Sequence, residues 1–285
     1  MRFAFIQEHR ARWAVEVTCR VLQVSRSGYY AWRRRRPSFS SRRRERLLAR
    51  IRQVHQHNRE LYGSPRVHRA LLIDGEVISR NTVAKLMRQA KIRAKSRKRY
   101  VPRTTDSTHR KPVADNKLSR DFAADAPDRK WLADITYVAT GEGWLYLAGV
   151  LDCFSRKIVG WSMANHMETD LVGDALKMAL LQRDPRGDLL HHSDRGVQYA
   201  SDDYQRLLRA HGIEASMSGR GDCYDNAMME SFWATLKCEL VHQHKFATRE
   251  QAKAAIFQYI EMFYNRKRLH SSLGYVSPDS FEAAA

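Results

Sequence analysis

Cysteine is scarce in this chain of 285 residues, and its four cysteines, Cys19, Cys153, Cys223 and Cys238, form no C-x-x-C pair. That spacing excludes a zinc ribbon and a disulfide framework and fits a reducing, cytoplasmic setting. His55, His57 and His68 have no cysteine pair downstream, so no histidine–cysteine zinc module is expected. Long apolar runs are missing as well. No stretch approaches the roughly 18 residues of a membrane-spanning helix. The opening Met1-Arg-Phe-Ala-Phe-Ile6 is too short for a signal peptide and lacks its cleavage pattern. The chain reads as soluble, long enough for one domain with a substantial core and one or two smaller ones.

Negative charge is scarce too, but only in one part. Residues 1–120 carry 32 Lys and Arg against 8 Asp and Glu, whereas residues 121–285 carry 18 against 23. The formal net charge of +19 therefore belongs to the N-terminal part. Such an excess attracts a polyanion, and neutralising phosphates releases condensed counterions, so strong, salt-sensitive binding to nucleic acid is expected. The alternative is a solvated basic tail, which fits poorly with the apolar periodicity between the charge clusters.

Four segments follow from the patterning. In residues 1–40, Val17, Val21 and Leu22 are expected to form one helix face, Ser25 to cap a second helix, and Tyr29 with Trp32 to form its face. Residues 41–94 read as three short helices. Leu47, Ile51 and Val54 mark the first; Ser64-Pro65 opens the second through Val67 and Leu71; Asp74-Gly75 turns the chain, and Ser79 caps a third with Val83, Leu86, Met87 and Ala90 on one side. That is the helix-turn-helix plan, and it places Arg80, Asn81, Thr82, Lys85 and Arg88 on the face toward DNA. A generic three-helix bundle is the alternative. Residues 95–125 lose periodicity and read as a basic linker beginning Lys95-Ser-Arg-Lys-Arg99.

Residues 126–285 change character. Strands are expected over 131–139, 144–152 and 157–163, followed by a helix through Leu171, Ala175, Met178 and Ala179. A strand over 188–192, a helix over 201–211, a strand over 213–218 and helices over 226–241 and 248–264 complete the series. This order is that of an α/β, ribonuclease-H-like fold, a mixed five-stranded sheet with flanking helices, preceded here by small all-α helix-turn-helix units.

Three acids stand where this pattern concentrates chemistry. Asp134 lies mid-strand among apolar neighbours, where an unpaired charge is costly, so it has a metal or cation partner or else faces solvent. Asp194 closes a strand before Arg195-Gly196, a place for a metal ligand or for a turn residue. Glu230 shares a helical stripe with Asn226 and Lys237, while Met229, Phe232, Trp233 and Leu236 face the core. It is either a site residue or an ordinary solvated glutamate. Carboxylates from two strand ends and a helix face suit hard divalent cations that activate phosphodiesters. Asp152 and Asp225 compete as a neighbouring strand-end acid and a helix cap. His192 is expected to be a strand residue rather than a general base, and Ser193 is disfavoured as a nucleophile.

The words around the acids are Trp131-Leu-Ala-Asp134-Ile-Thr-Tyr137, His192-Ser-Asp194-Arg-Gly-Val-Gln-Tyr199 and Asp225-Asn-Ala-Met-Met-Glu230-Ser-Phe-Trp-Ala-Thr-Leu-Lys237. They resemble the catalytic blocks of DDE transposases and retroviral-type integrases, most nearly the second-reading-frame (OrfB) transposases of bacterial insertion sequences. The likeness runs from Leu22-Gln-Val-Ser-Arg-Ser-Gly-Tyr-Tyr-Ala-Trp32 through Tyr264-Asn-Arg-Lys-Arg-Leu-His270. It implies Asp134, Asp194 and Glu230 as catalytic and metal-binding residues with two Mg²⁺ or Mn²⁺ ions, Asp134 bridging them, and Asn226 and Lys237 beside DNA. It also implies double-stranded DNA partners (element ends and target), a homo-multimer, an upstream-frame transposase protein as fusion or partner, and a nucleoid-associated cytoplasmic location. Two rival functions remain open on the residues: a DNA-binding regulator derived from a transposase, and a metal-dependent nuclease that does not join strands.

Overall fold

The computed structural model describes residues 1–36, 38–95, 113–219 and 223–285. No helix among them is long and apolar enough to cross a membrane. Most of the basic run after Lys95 lies outside the described residues.

The chain begins with α1 (Arg2–His9), α2 (Val15–Val21) and α3 (Arg26–Arg34). Ser25 caps α3, its Oγ accepting from the Gly28 N–H at 3.0 Å. The buried centre is Ile6, Cys19 and Tyr29, with Val15 and Leu22 packed against it. The expected face differs: Val17 and Val21 are 53% and 73% exposed. Val15, Cys19 and Leu22 share one helix face, and the unanticipated α1 supplies the third wall, so the Val17/Val21 side points outward.

Three helices follow: α4 (Phe39–His57), α5 (Ser64–Ile73) and α6 (Arg80–Gln89). Their buried residues include Leu47, Ile51, Val67, Leu71, Val83 and Leu86. Pro65 stands in the first turn of α5, where its missing N–H costs nothing. Ser79 caps α6 by accepting from the Thr82 N–H at 3.3 Å. This unit seats on the rest of the molecule through Tyr62, whose hydroxyl accepts from Leu269 N at 2.9 Å and donates to Lys267 O at 3.2 Å.

The remainder is a ribonuclease-H-like α/β domain. Its strands are β1 (Lys130–Thr140), β2 (Gly143–Asp152), β3 (Ile158–Ala164), β4 (Leu190–Ser193) and β5 (Glu214–Met217), in the sheet order β3-β2-β1-β4-β5. The first three are antiparallel, and β4 and β5 add in parallel. Strand alternation sends Trp131, Ala133 and Val150 to one face, beneath α7 (Thr169–Arg183) and α8 (Asp202–Ala210). Leu132, Leu147 and Leu151 go to the other face, beneath α9 (Ala227–Glu239) and α10 (Arg249–Phe257). Helix α10 passes into a π-helical stretch, Gln258–Tyr264, and a short α11 (Pro278–Glu282) ends the fold. Residues 113–125, expected as free linker, lie against the sheet edge: Leu118 is buried, and the Lys117 N–H donates to Ser216 Oγ at 2.9 Å.

Candidate active site

The parallel pairing of β1 with β4 runs from Lys130↔Leu190 to Ala133↔Ser193, where β4 ends. The next residues are Asp134 and Asp194, so these two acids follow side by side where the pairing ends, Asp134 still within β1 and about one strand spacing of 4.8 Å from Asp194 in backbone terms. Beyond Ala133, β1 continues with β2 as its only strand partner among the described residues, apart from an isolated bridge of Thr140 to Phe246. The free edge opens a cleft of about 530 Å³, lined by Asp134, Tyr137, Tyr146, Met167, Asp194 and Gln198, among others. Ligands commonly bind outside the carboxyl ends of strands in such sheets.

Asp134 is gripped on both carboxylate oxygens. Its Oδ1 accepts from the Ile135 N–H at 2.8 Å, and its Oδ2 from the Trp233 indole N–H at 3.0 Å. Burial pushes its carboxyl up to about 8, and the charges of Asp194 and then Glu230 push the same way. The two hydrogen bonds favour the anion but do not outweigh burial and the neighbouring acids, so added positive charge would stabilise it further. Asp194 is fixed by the Gly196 N–H, which donates to its Oδ1 at 2.9 Å.

Helix α9 carries Glu230 close enough for its charge to act on Asp134, though the residue lines a neighbouring groove with Ala227, Ser231 and Thr235 rather than the cleft of Asp134 and Asp194. Gly149 is opposite Asp134 in the β1–β2 register, and its missing side chain lets the helix lie flush on the sheet. A Cβ there would come within 2.7 Å of Met229 Cε and 3.0 Å of Trp233 Cη2. Glu230 sits in the first turn of α9 on an exposed face, where the N-terminal helix dipole favours a carboxylate. Partial burial still raises its carboxyl above the ordinary value. Lys237 is half-buried with its Nζ 5.0 Å from the centre of the Tyr137 ring. Burial pulls its ammonium down, and Asp134 pushes it back up, which places this cation beside the acids.

Asn226, expected beside DNA, is instead buried at 6% exposure, its Nδ2 donating to Ala133 O at 3.2 Å. That bond ties the start of α9 to the end of the β1–β4 pairing, so the residue positions the helix. On α6, Arg80, Asn81, Thr82, Lys85 and Arg88 are all exposed, on the side away from Val83, Leu86 and Met87. Thr82 Oγ1 also lies 2.9 Å from Ser79 Oγ within the cap.

The competing groups have structural work. Asp152 is fully buried, accepting from the Asp128 and Phe154 N–H groups at 2.7 Å each. Asp225 accepts from Asn116 Nδ2 at 2.7 Å and from the Gly219 N–H at 3.2 Å. His192 is buried between Ser216 Oγ (2.9 Å) and Ser218 Oγ (3.1 Å), and burial pushes its imidazole down to about 4. It is a neutral structural group. Ser193 is buried with its hydroxyl donating to Asp194 O at 3.0 Å.

The donor set of Asp134, Asp194 and Glu230 consists of hard carboxylate oxygens and fits Mg²⁺ or Mn²⁺. What supports this fit is the burial of Asp134 beside two further acids, an arrangement whose ionised form a bound cation would favour. The three are not drawn as tightly together as His166, Glu168 and Asp170. Those three form the one group among the described residues whose ligand atoms all lie within 4.8 Å of one another, and they flank Met167 of the cleft.

Residues 124–223 and 211–278 match integrase core domain models, and residues 42–100 match an HTH-like domain. Transposase InsF of insertion sequence IS3A from Escherichia coli K12 is 43% identical over 284 residues, covering 99% of this chain and 98% of that protein. An uncharacterized 31 kDa protein of insertion element IS600 from Shigella sonnei is 46% identical over 263 residues, covering 92% and 96%. Among solved structures, the simian T-cell lymphotropic virus intasome in complex with a PP2A B56 gamma subunit has a TM-score of 0.48 at 14% identity, over 75% of this chain and 69% of that one. The chain therefore belongs to the IS3-type insertion-sequence transposases, which combine a helix-turn-helix-like unit with an integrase core domain.

Proposed function

We propose that this chain binds the ends of its insertion sequence and catalyses metal-dependent DNA strand cleavage and strand transfer, with Asp134, Asp194 and Glu230 as the catalytic trio. The observation that carries the reading is the junction of β1, β4 and α9. There the first two acids leave adjacent strands in register, and Trp233, three residues from Glu230, bonds the first of them.

Two divalent ions at this junction, when bound, would lower the pKa of the attacking oxygen's proton and stabilise the leaving oxygen of an in-line displacement. The chain's own residues hold the geometry. Trp233 and the Ile135 N–H keep the Asp134 oxygens aimed. Gly196 orients Asp194, and Gly149 and Asn226 set the height and start of α9, hence the position of Glu230. Lys237, beside Asp134, offers a cation to a DNA phosphate at the mouth of the cleft. The exposed face of α6 enters the major groove of the element end, with Arg80, Asn81, Thr82, Lys85 and Arg88 toward the duplex. Hydrolysis frees a 3′-OH, and that hydroxyl then attacks a new phosphodiester without a covalent protein intermediate. Two ends must be processed together, so the working particle is a homo-multimer that also admits the upstream-frame protein. Its place is the cytoplasm, on the nucleoid.

A pre-cut element end and a target duplex supplied with Mg²⁺ test the reading. Joined product is expected. Asp134→Asn, Asp194→Asn and Glu230→Gln each abolish joining while duplex binding is retained. Hydrolysis alone would mark a nuclease, binding alone a regulator, and substantial joining by any of the three variants would refute the assignment.

A further inference from the structure

On the flank of α9 away from Asp134 lies a second hollow, built from guanidinium and hydroxyl groups. It holds about 120 Å³ and is lined by Arg66, Arg156, Arg268, Ser231, Thr235 and Ser271, among others. The three arginines come from separate parts of the chain: α5, the turn between β2 and β3, and the segment after the π-helical stretch. Their charges are not balanced. Arg268 is almost fully buried and takes both oxygens of Glu239, Nε to Oε2 at 2.9 Å and Nη2 to Oε1 at 2.7 Å. The Tyr259 hydroxyl donates to the same Oε2 at 2.7 Å, so Glu239 has little left for others. Arg66 reaches it only at 3.7 Å, and no ion pair with a carboxylate forms at Arg156 among the described residues.

Three cations thus face one carboxylate. Burial of a guanidinium is tolerated when an anion meets it, and an excess of such groups in a polar hollow is an anion-binding arrangement. His270, in the same wall, does not add a fourth charge. Burial and the three arginines push its imidazole down to about 2, and it stands 3.4 Å from Arg268 Nη1 as a neutral acceptor. Arg66 is itself pulled down by burial and next by Arg268. The hydroxyls of Ser231, Thr235 and Ser271 supply further donors. A water takes roughly 30 Å³ in the liquid, so the hollow suits one tetrahedral oxyanion and is too small for a base with its sugar.

We infer that this hollow is a phosphate site, and that its occupant is a backbone phosphodiester of the DNA strand being processed. The inference rests on the function proposed above and extends it to a second contact on the same helix. Ser231 and Thr235 line both this hollow and the groove containing Glu230. Glu230 and Thr235 are five residues apart, about 7.5 Å along the helix axis. One strand presents a phosphate roughly every 3.4 Å of duplex axis. A strand whose scissile phosphate is at Glu230 therefore brings another within reach of the hollow. Because Arg66 belongs to the helix-turn-helix unit and Arg156 to the catalytic sheet, the phosphate would also bind the two units together around the DNA.

The test uses the full chain with Arg156→Gln, chosen because among the described residues only the backbone N–H of Arg156 bonds within the fold, to Asp152 O at 2.8 Å, and the conservative Arg156→Lys. Binding of an element-end duplex is followed by fluorescence anisotropy against salt, in chelator so that no cleavage occurs. The expected result is a log–log salt slope reduced by about 0.9 for Arg156→Gln, affinity about tenfold lower at low salt, and partial recovery with Arg156→Lys. A series of duplexes, each carrying one neutral methylphosphonate, then locates the contact. One position weakens the wild type and leaves Arg156→Gln indifferent. An unchanged slope, or a series in which no position discriminates the two proteins, overturns the inference. Thermal stabilisation by inorganic phosphate with an unchanged DNA slope overturns it too, because the hollow would then hold a free anion. None of these readouts needs joining activity, so loss of the slope change and loss of the catalytic reading are separable.

Discussion

Gly149→Ala puts the packing of α9 to a direct test. The added methyl would lie 2.7 Å from Met229 Cε and 3.0 Å from Trp233 Cη2, against ordinary carbon contacts of about 3.5–4.0 Å. The methionine methyl is the end of a flexible chain and can swing aside. The indole cannot, because it is buried and its N–H is bonded to Asp134. The helix must therefore back away from the sheet by something under ~1 Å. Overpacking of this kind costs about 1–3 kcal/mol, which at roughly 2–4 °C per kcal/mol lowers the melting temperature by several degrees. The larger effect is on chemistry. Glu230 and Trp233 move with the helix, and a displacement of about 1 Å in a reacting constellation can cost on the order of 100-fold in rate. Joining of a pre-cut end to a duplex should fall by that order, while binding through the helix-turn-helix unit is unchanged. Gly173→Ala is the control, since a Cβ there meets nothing within 4 Å, and Ala in a helix interior is favoured over Gly by about 0.5–1 kcal/mol. Near-normal joining and an unshifted melting temperature in Gly149→Ala would refute the account of how α9 is positioned.

Trp233→Phe keeps most of the packing but removes the donor to Asp134 Oδ2. A hydrogen bond to a charged group contributes about 1.5–3 kcal/mol, so the variant should need at least tenfold more Mg²⁺ for half-maximal joining; an unaltered metal requirement would count against the role given to the indole. Acidity offers a further handle. The Asp134 carboxyl is raised from its ordinary value to about 8, so the metal-free folded state holds a proton that the unfolded state releases near pH 4. Wild-type stability is then fullest below pH 4 with respect to this group and is lost as pH rises toward 8. In chelator, urea melts of Asp134→Asn and wild type should diverge in favour of the variant over that range, by at most about 1.4 kcal/mol per pH unit. Parallel pH profiles would contradict the burial of this acid.

The strand and helix order of the integrase core domain was legible because its sheet follows simple alternation. The expected strand over 131–139 is β1 at Lys130–Thr140, with Asp134 inside it and Asp194 just past the end of β4, as the pattern put them. Long-range contacts left no local trace. Trp233 was read as a core residue, and it is buried, but its polar edge serves Asp134 across 99 positions of sequence. Gly149 carries no pattern signal of its own, yet it is where a helix touches the sheet. Asn226 shares a stripe with Glu230 only by angle; it precedes α9 as the N-cap residue, off helical backbone, and its side chain reaches the Ala133 carbonyl. The face of α2 was misjudged because valine periodicity favours Val17 and Val21, whereas the short α1 packs on the Cys19 side. Residues 113–125 have a linker's composition, and only the meeting of Leu118 and Lys117 with β5 explains why they are held down.

The central claim is that Asp134, Asp194 and Glu230 together cage divalent metal. Crystals of the protein with an element-end duplex, grown with Mn²⁺ and measured at the manganese edge, test it most directly. The account predicts two anomalous peaks about 3.5–4 Å apart, in contact with oxygens of all three acids. Manganese confined to His166, Glu168 and Asp170, or absent from the cleft, would contradict it.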